Sequence, residues 1–245
     1  FRSVVLSERG GIRAAKGHDL DPAALQYKSG DSFKASSQGK SNQQSIFLDS
    51  TGRSYSLLAH TLSSARGQGE PISGRVAPPS GATFEGVVIG DEQRDVLVAS
   101  DAGYGFVCQL KDLISNKKSG KTILRCPKGS KLLTALLVHD YENDWIVSVS
   151  NEGRMLIFPI SELPRLSKGK GNKIINIPAK RVAERVEFVS AMTVLSSESV
   201  LTIYAGRRHH NLRPSDLDHY RGERGRRGNK LPRGFQNVDR IEVAD

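Results

Sequence analysis

"VLVASDAGYGFVCQL" (residues 96–110) and "WIVSVSNEGRMLIFPI" (residues 145–160) share one plan: an apolar, β-branched run, a short polar turn closing on Gly, and a second apolar or aromatic run. That plan predicts a β-hairpin, because the turn requires positive φ, which Gly adopts without steric penalty. Three other segments repeat it: "SVVLSERGGIR" (3–13), "SIFLDSTGRSYSLL" (45–58) and "VLTIYAGRRHHNL" (200–212). The turn glycines Gly10, Gly52, Gly103, Gly153 and Gly206 are separated by 42, 51, 50 and 53 residues. A period of this length with about four short strands belongs to radial β architectures, in which each unit is a blade and its neighbours bury its faces. The expectation is an all-β, propeller-like disc of about five four-stranded blades, one domain over residues 1–245.

The rest of each unit is also periodic. A Leu follows the turn Gly by 10 or 11 residues in the last four copies (Leu62, Leu113, Leu163, Leu217), whereas the first copy carries an insertion, "GHDLDP", before Leu25. A Gly-containing, usually basic loop comes next: "SARGQGEP", "NKKSGKT", "SKGKGNK" and "RGERGRRG", with "YKSGDSFK" as a weaker first version. Gly67, Gly120, Gly169 and Gly222 are read as the matching loop glycines.

Composition narrows the partner. Lys and Arg number 36 against 26 Asp and Glu, a net charge of +10, so a polyanion is the expected ligand. The longest apolar run, Leu132 to Val138, is too short to span a bilayer and contains a Thr, which excludes a membrane span. The chain opens on Phe1 with neither an initiator Met nor a signal-peptide core, an opening that reads as a piece of a longer protein. Cys108 and Cys126 lie in separate apolar segments without Cys-x-x-Cys spacing and read as buried thiols of a reducing, cytoplasmic compartment. His209 and His210 are adjacent on a strand and point to opposite faces, which suits solvated or DNA-facing imidazoles better than a shared metal.

Enzymatic motifs are incomplete. Gly39-Lys40-Ser41 and Gly120-Lys121-Thr122 match the tail of a phosphate-binding P-loop, but Lys34 and Ser115 stand where its first Gly belongs. No Gly-x-Ser-x-Gly or His-Glu-x-x-His motif occurs. Asp49, Asp101 and Asn151 each precede a turn Gly, and a residue built once per blade reads as turn chemistry, not catalysis. Tyr104, Phe106, Trp145, Phe158 and Tyr204 read as packing residues on strands. The fragment is therefore expected to be non-catalytic, with no cofactor or metal of its own.

A loop that recurs at one phase of a disc lines one rim, and a basic rim follows the curve of a bent duplex. Ammonium and guanidinium groups neutralise phosphates, while glycines let the backbone approach closely. The residues expected to contact DNA are Arg66, Lys117, Lys118, Lys121, Lys168, Lys170, Lys173, Arg221, Arg224, Arg226 and Arg227, with Lys28, Lys34 and Lys40 weaker. Lys180 and Arg94 read as solvated charges. Few Asn or Gln side chains occupy the loops, so weak sequence preference is expected. The alternative reading is an interaction disc whose basic loops dock an acidic chromosome-organising protein.

"RAAKGHDLD", "YKSGDSFKA", "DSTGRSYS", "SARGQGEP", "ASDAGYGFVC", "GERGRRG" and above all "LPRLSKGKGNKIINIP" (163–178) resemble the C-terminal domain of the A subunit of bacterial DNA topoisomerase IV, in the gyrase A C-terminal domain-like family. The resemblance runs through nearly the whole chain. It implies a β-pinwheel whose blades exchange strands and which holds duplex DNA around its basic edge. It further implies a parent, the remaining A subunit with an ATPase B subunit, that relaxes and decatenates DNA in the bacterial cytoplasm using ATP and Mg2+ bound elsewhere. The cleaving tyrosine would lie outside this chain, so none of Tyr27, Tyr55, Tyr104, Tyr141, Tyr204 or Tyr220 takes that role. The gyrase branch carries a Q-R-R-G-G-K-G box tied to wrapping, of which this chain has no intact copy. The resemblance thus implies bending or capture of a second segment, and five repeats against six imply an open or shortened ring.

Overall fold

The computed structural model describes residues 1–17, 20–196 and 198–244. The first unit supplies β1 (Arg2–Ser7), β2 (Gly11–Lys16) and β3 (Phe33–Gly39). Each later unit supplies a hairpin, a two-residue strand and a longer strand, in that order. These are β4 (Gln44–Asp49), β5 (Arg53–Leu58), β6 (Glu70–Pro71) and β7 (Phe84–Ile89), then β8 (Asp95–Ser100), β9 (Tyr104–Gln109), β10 (Lys121–Thr122) and β11 (Leu132–Val138). The fourth unit gives β12 (Trp145–Ser150), β13 (Arg154–Pro159), β14 (Asn172–Lys173) and β15 (Val189–Leu195); the fifth gives β16 (Val200–Ala205), β17 (Arg208–Leu212), β18 (Asn229–Lys230) and β19 (Arg240–Ala244).

The sheets do not coincide with the units. Their orders are β3-β1-β2-β6, β7-β4-β5-β10, β11-β8-β9-β14, β15-β12-β13-β18 and β19-β16-β17. Each short strand therefore leaves its own unit and closes the preceding blade, the exchange expected of a pinwheel. The fifth blade has three strands among the described residues, with no short strand from another unit added to it. The long strands β3, β7, β11, β15 and β19 lie one against the next and form the hub, which puts the short strands on the outer rim.

Strand alternation places the core between blades. In β8, Val96 and Val98 face the second blade while Leu97 and Ala99 face the fourth, and all four are fully buried. Both faces of a blade are covered, so its central strands read as continuous apolar runs instead of alternating ones. Four apolar clusters fill the four seams between consecutive blades. Among the described residues no such cluster joins the fifth blade to the first. On that open side of the first blade, the inserted segment folds back. Arg13 donates to the Gly67 and Gln26 carbonyls, each at 2.7 Å, with its guanidinium 4.7 Å from the Tyr27 ring. Asp31 accepts from Ser7 Oγ at 2.6 Å. His18 and Asp19 of "GHDLDP" lie outside the described residues.

Glycine is required on both sides of each exchanged strand. Gly10, Gly52, Gly103 and Gly153 all have positive φ, and their carbonyls accept from Ile72, Ile123, Ile174 and Leu231, just beyond the incoming short strand. The loop glycines that matter are Gly69, Gly120, Gly171 and Gly228, each at positive φ immediately before its short strand. Three of the four expected from sequence are thus displaced: Gly67, Gly169 and Gly222 lie in the loops but do not make this joint. A Cβ on Gly171 would collide with the Gly105 carbonyl, whereas one on Gly206 meets nothing within 4 Å. Gly206→Ala should cost about 1–2 kcal/mol from its left-handed backbone alone. Gly171→Ala should cost clearly more in denaturant unfolding, since the β14 joint must also separate; equal losses would show that close approach is not the constraint.

Candidate nucleic-acid interface

The four basic loops (64–70, 116–121, 167–172 and 221–228) lie at the outer edges of successive blades, each leading into its short strand. They also touch one another's units in sequence. Ala77 N–H of the second unit donates to the Lys118 carbonyl of the third, at 2.8 Å. Gly169 in the fourth unit donates to Ile123 and accepts from Arg125, both at 2.9 Å, and Gly225 in the fifth donates to Ile174 at 2.9 Å. The loops therefore form one continuous arc.

Arginines at the start of the second hairpin strand hold the loops. Arg53 donates to the Ser119 and Gly120 carbonyls and to Thr122 Oγ1, at 2.9, 3.2 and 2.8 Å. Arg154 donates to the Gly228 carbonyl at 3.1 Å. The third blade has Tyr104 at this place, next to its turn Gly. Nothing in the sequence distinguishes these clamps from rim charges, and they are not among the expected site residues.

Of those expected residues, Arg66, Lys117, Lys118 and Lys168 are exposed and pair with no acid among the described residues. Lys121 is exposed and its Nζ donates to the Asp112 carbonyl at 2.9 Å. Lys170 sits 4.5 Å above the Tyr104 ring, and Lys173 donates to Asn176 Oδ1 at 3.2 Å. Arg226 is exposed but bonded to the equally exposed Glu223 at 2.9 Å, a pair that contributes little to stability and parts readily.

Three arginines are committed inward. Arg221 lies 4.1 Å from the Trp145 ring and 3.0 Å from Asp218. Arg224 donates to the Lys173 carbonyl at 2.7 Å. Arg227 donates to the Asn176 carbonyl at 2.7 Å and reaches the buried Glu187 carboxylate at 3.0 Å, which Arg181 also contacts at 3.2 Å. A buried carboxylate needs such partners, and here they anchor the fifth unit's loop to the fourth blade. These inward contacts engage the guanidinium groups of all three residues that the sequence expects to face DNA.

Lys34 is likewise a strut, bonded to Glu8 at 3.3 Å and Glu85 at 3.1 Å, while Lys131 reaches Glu85 at 3.3 Å, so one carboxylate ties hub strands of three blades. Lys28 and Lys40 are exposed. Sequence reasoning also misses exposed Arg125 and Lys128, beside the arc, and sets aside Lys180.

Other expectations are refined. Asp49 serves its own turn, accepting from Thr51 N–H and Arg53 N–H and, at 2.6 Å, from Tyr55 Oη. Asp101 instead binds Arg185 and the Lys131 N–H, and Asn151 binds the Phe188 N–H, so these two secure the approach to hub strands. Phe106 and Phe158 are core, but Tyr104, Trp145 and Tyr204 each carry a cation on the ring. His209 and His210 do face apart, one against Tyr204 and the other against Phe235. Both thiols are free, and burial pushes each up to about 12.

Residues 94–139 and 144–196 match the family described as the DNA gyrase C-terminal domain, beta-propeller. The chain is 56% identical over 241 residues to the A subunit of DNA topoisomerase 4 from Pseudomonas aeruginosa and 48% identical over 241 residues to that from Escherichia coli K12. Each alignment covers 98% of this chain and 32% of the relative, so the chain spans about a third of the length of the curated relatives it matches. Among solved structures, the E. coli ParC C-terminal domain superposes with a TM-score of 0.86 at 47% identity, covering 100% of this chain and 98% of that one. A DNA gyrase A C-terminal domain gives 0.75 at 12% identity, covering 100% and 82%, a likeness of fold alone.

Two measurements check the roles given to the buried carboxylates. Burial raises the Glu85 carboxyl, but the Thr83 hydroxyl and the Lys34 and Lys131 ammonium groups outweigh it and hold its pKa below the ordinary value. The folded state therefore gains stability from ionised Glu85 at neutral pH and loses it as pH falls through the carboxylate range. Glu85→Gln should lower stability at pH 7 and flatten its acid dependence; an unchanged acid profile would contradict the strut. Removing the Glu187 charge as Glu187→Gln should cost about 3 kcal/mol or more, because two arginines lose a buried partner.

Proposed function

The chain belongs to the family of C-terminal domains of DNA topoisomerase IV A subunits, of gyrase A C-terminal type, and from that premise we propose that residues 1–245 act as one non-catalytic module that binds and bends duplex DNA. The observation that carries this reading is the continuous arc of basic rim loops, linked unit to unit by backbone hydrogen bonds. Arg66, Lys117, Lys118, Lys121, Lys168 and Lys170 are its phosphate contacts, with Arg226 released from Glu223 when a phosphate displaces it. Duplex DNA laid along a curved rim must bend, which costs on the order of 1–6 kcal/mol for 40–90°. Several charge-assisted phosphate contacts offset that.

Rim side chains offer few groups suited to reading base edges, so binding is governed by charge and curvature. In the parent enzyme the module positions a DNA segment for relaxation and decatenation. The remainder of the A subunit, together with the ATP-hydrolysing B subunit, cuts, passes and reseals DNA in the bacterial cytoplasm. No described helix is long and apolar enough to cross a membrane.

Salt titration of the chain on a linear duplex tests the reading. Six engaged phosphates give a slope of log K against log salt near −5, a loss of about three decades between about 50 and 200 mM. Reversing Lys117, Lys118 and Lys168 to Glu should abolish binding at the upper salt. A flat salt response, or an affinity unmoved by the reversal, would reject it. Arg227→Ala should instead lower the melting temperature.

A further inference from the structure

The seam between the third and fourth blades holds a cavity of about 540 Å³ without counterpart in the clamping scheme of its neighbours. In the second and fourth blades, Arg53 and Arg154 occupy the place beside the turn Gly and donate to carbonyls of the incoming loop. Tyr104 stands there in the third blade, and four lysines surround the space it leaves: Lys128, Lys170, Lys173 and Lys180. Asn176 adds an amide, Ala102, Ile177 and Val182 form an apolar floor, and no Asp or Glu lines the cavity. Lys170 and Lys173 lie 4.5 and 5.9 Å from the centre of the Tyr104 ring. The nearest acid paired with any of the four is exposed Glu184, 4.0 Å from Lys180. Arg224 and Arg227 brace the wall from the next unit, through the Lys173 and Asn176 carbonyls.

Four lysines lining one concavity, with no carboxylate among its lining residues, make it attractive to an anion. We infer that this cavity is a discrete site for a phosphate group, which takes hydrogen bonds from the four lysines above the Tyr104 ring. The phosphate has two possible sources, a DNA backbone or a free polyphosphate. Because Lys170 and Lys173 also belong to the rim arc, the inference rests on the DNA-binding reading for its regulatory consequence: a free anion in the cavity competes with duplex at this seam.

The test titrates the 245-residue chain with inorganic tripolyphosphate by calorimetry at low salt, alongside a linear duplex. Lys128→Gln/Lys180→Gln should weaken tripolyphosphate about a hundredfold, since each of the two lost charged hydrogen bonds is worth about tenfold. Lys16→Gln/Lys111→Gln removes the same charge outside the rim loops and should leave tripolyphosphate binding nearly unchanged. Both pairs are exposed, and matching far-ultraviolet spectra confirm folding. If the first variant also weakens duplex, the cavity seats a backbone phosphate; if duplex affinity is kept, the occupant is the free anion. Equal losses of tripolyphosphate binding in the two variants, or none in either, overturn the inference. The duplex salt slope, read in the same experiment, then still judges the DNA-binding reading separately.

Discussion

Every blade but the last is completed by a two-residue strand that belongs to the next unit. This exchange is the constraint on which the rest of the molecule depends. A two-residue strand has too few hydrogen bonds to hold itself in place, so the joint relies on close backbone contact. It is made by a glycine on each side, such as Gly103 accepting from Ile174 while Gly171 lies against Gly105. Covalent continuity then makes every seam a shared structure: one unit's loop cannot detach without opening its neighbour's sheet. The apolar clusters between blades and the repeated arginine clamps reinforce the same seams.

The exchange also explains why charge can be placed at the perimeter. A loop that must travel to the neighbouring blade's outer edge passes over the rim, and its side chains there have no interior to enter. Lysines fill those positions at Lys117, Lys118 and Lys168. Arginines are used where a loop meets a neighbouring unit, because a planar fork can satisfy two acceptors at once, as Arg227 does with Asn176 and Glu187. Ammonium groups thus point outward at Lys117, Lys118 and Lys168 and guanidinium groups inward at Arg221, Arg224 and Arg227, while Arg66 and Arg226 are exposed arginines of the rim loops.

Hairpins, turn glycines and the periodic Leu positions are legible in the sequence because backbone sterics and burial impose their patterns locally, and Leu113, Leu163 and Leu217 are fully buried. The loop register is not legible, because "RGQG", "GKG" and "GERGRRG" each offer more than one glycine. Only the three-dimensional approach to a neighbouring carbonyl selects Gly69, Gly171 and Gly228. The same holds for charge. Arg221, Arg224 and Arg227 lie in the most basic stretch of the chain, yet their partners, Trp145, the Lys173 carbonyl and Glu187, come from a different unit. Tyr104 reads as core because its neighbours along the strand are core; its cavity depends on Lys128 and Lys180, distant in sequence.

The three-stranded fifth blade and the folded-back first unit give the disc two unlike termini. A sealed annulus would look the same from every blade and would fix no start or finish for a polymer laid on it. An arc whose first and last blades differ in this way has a direction: the order of the rim loops can be told from either end, and the chain itself sets it.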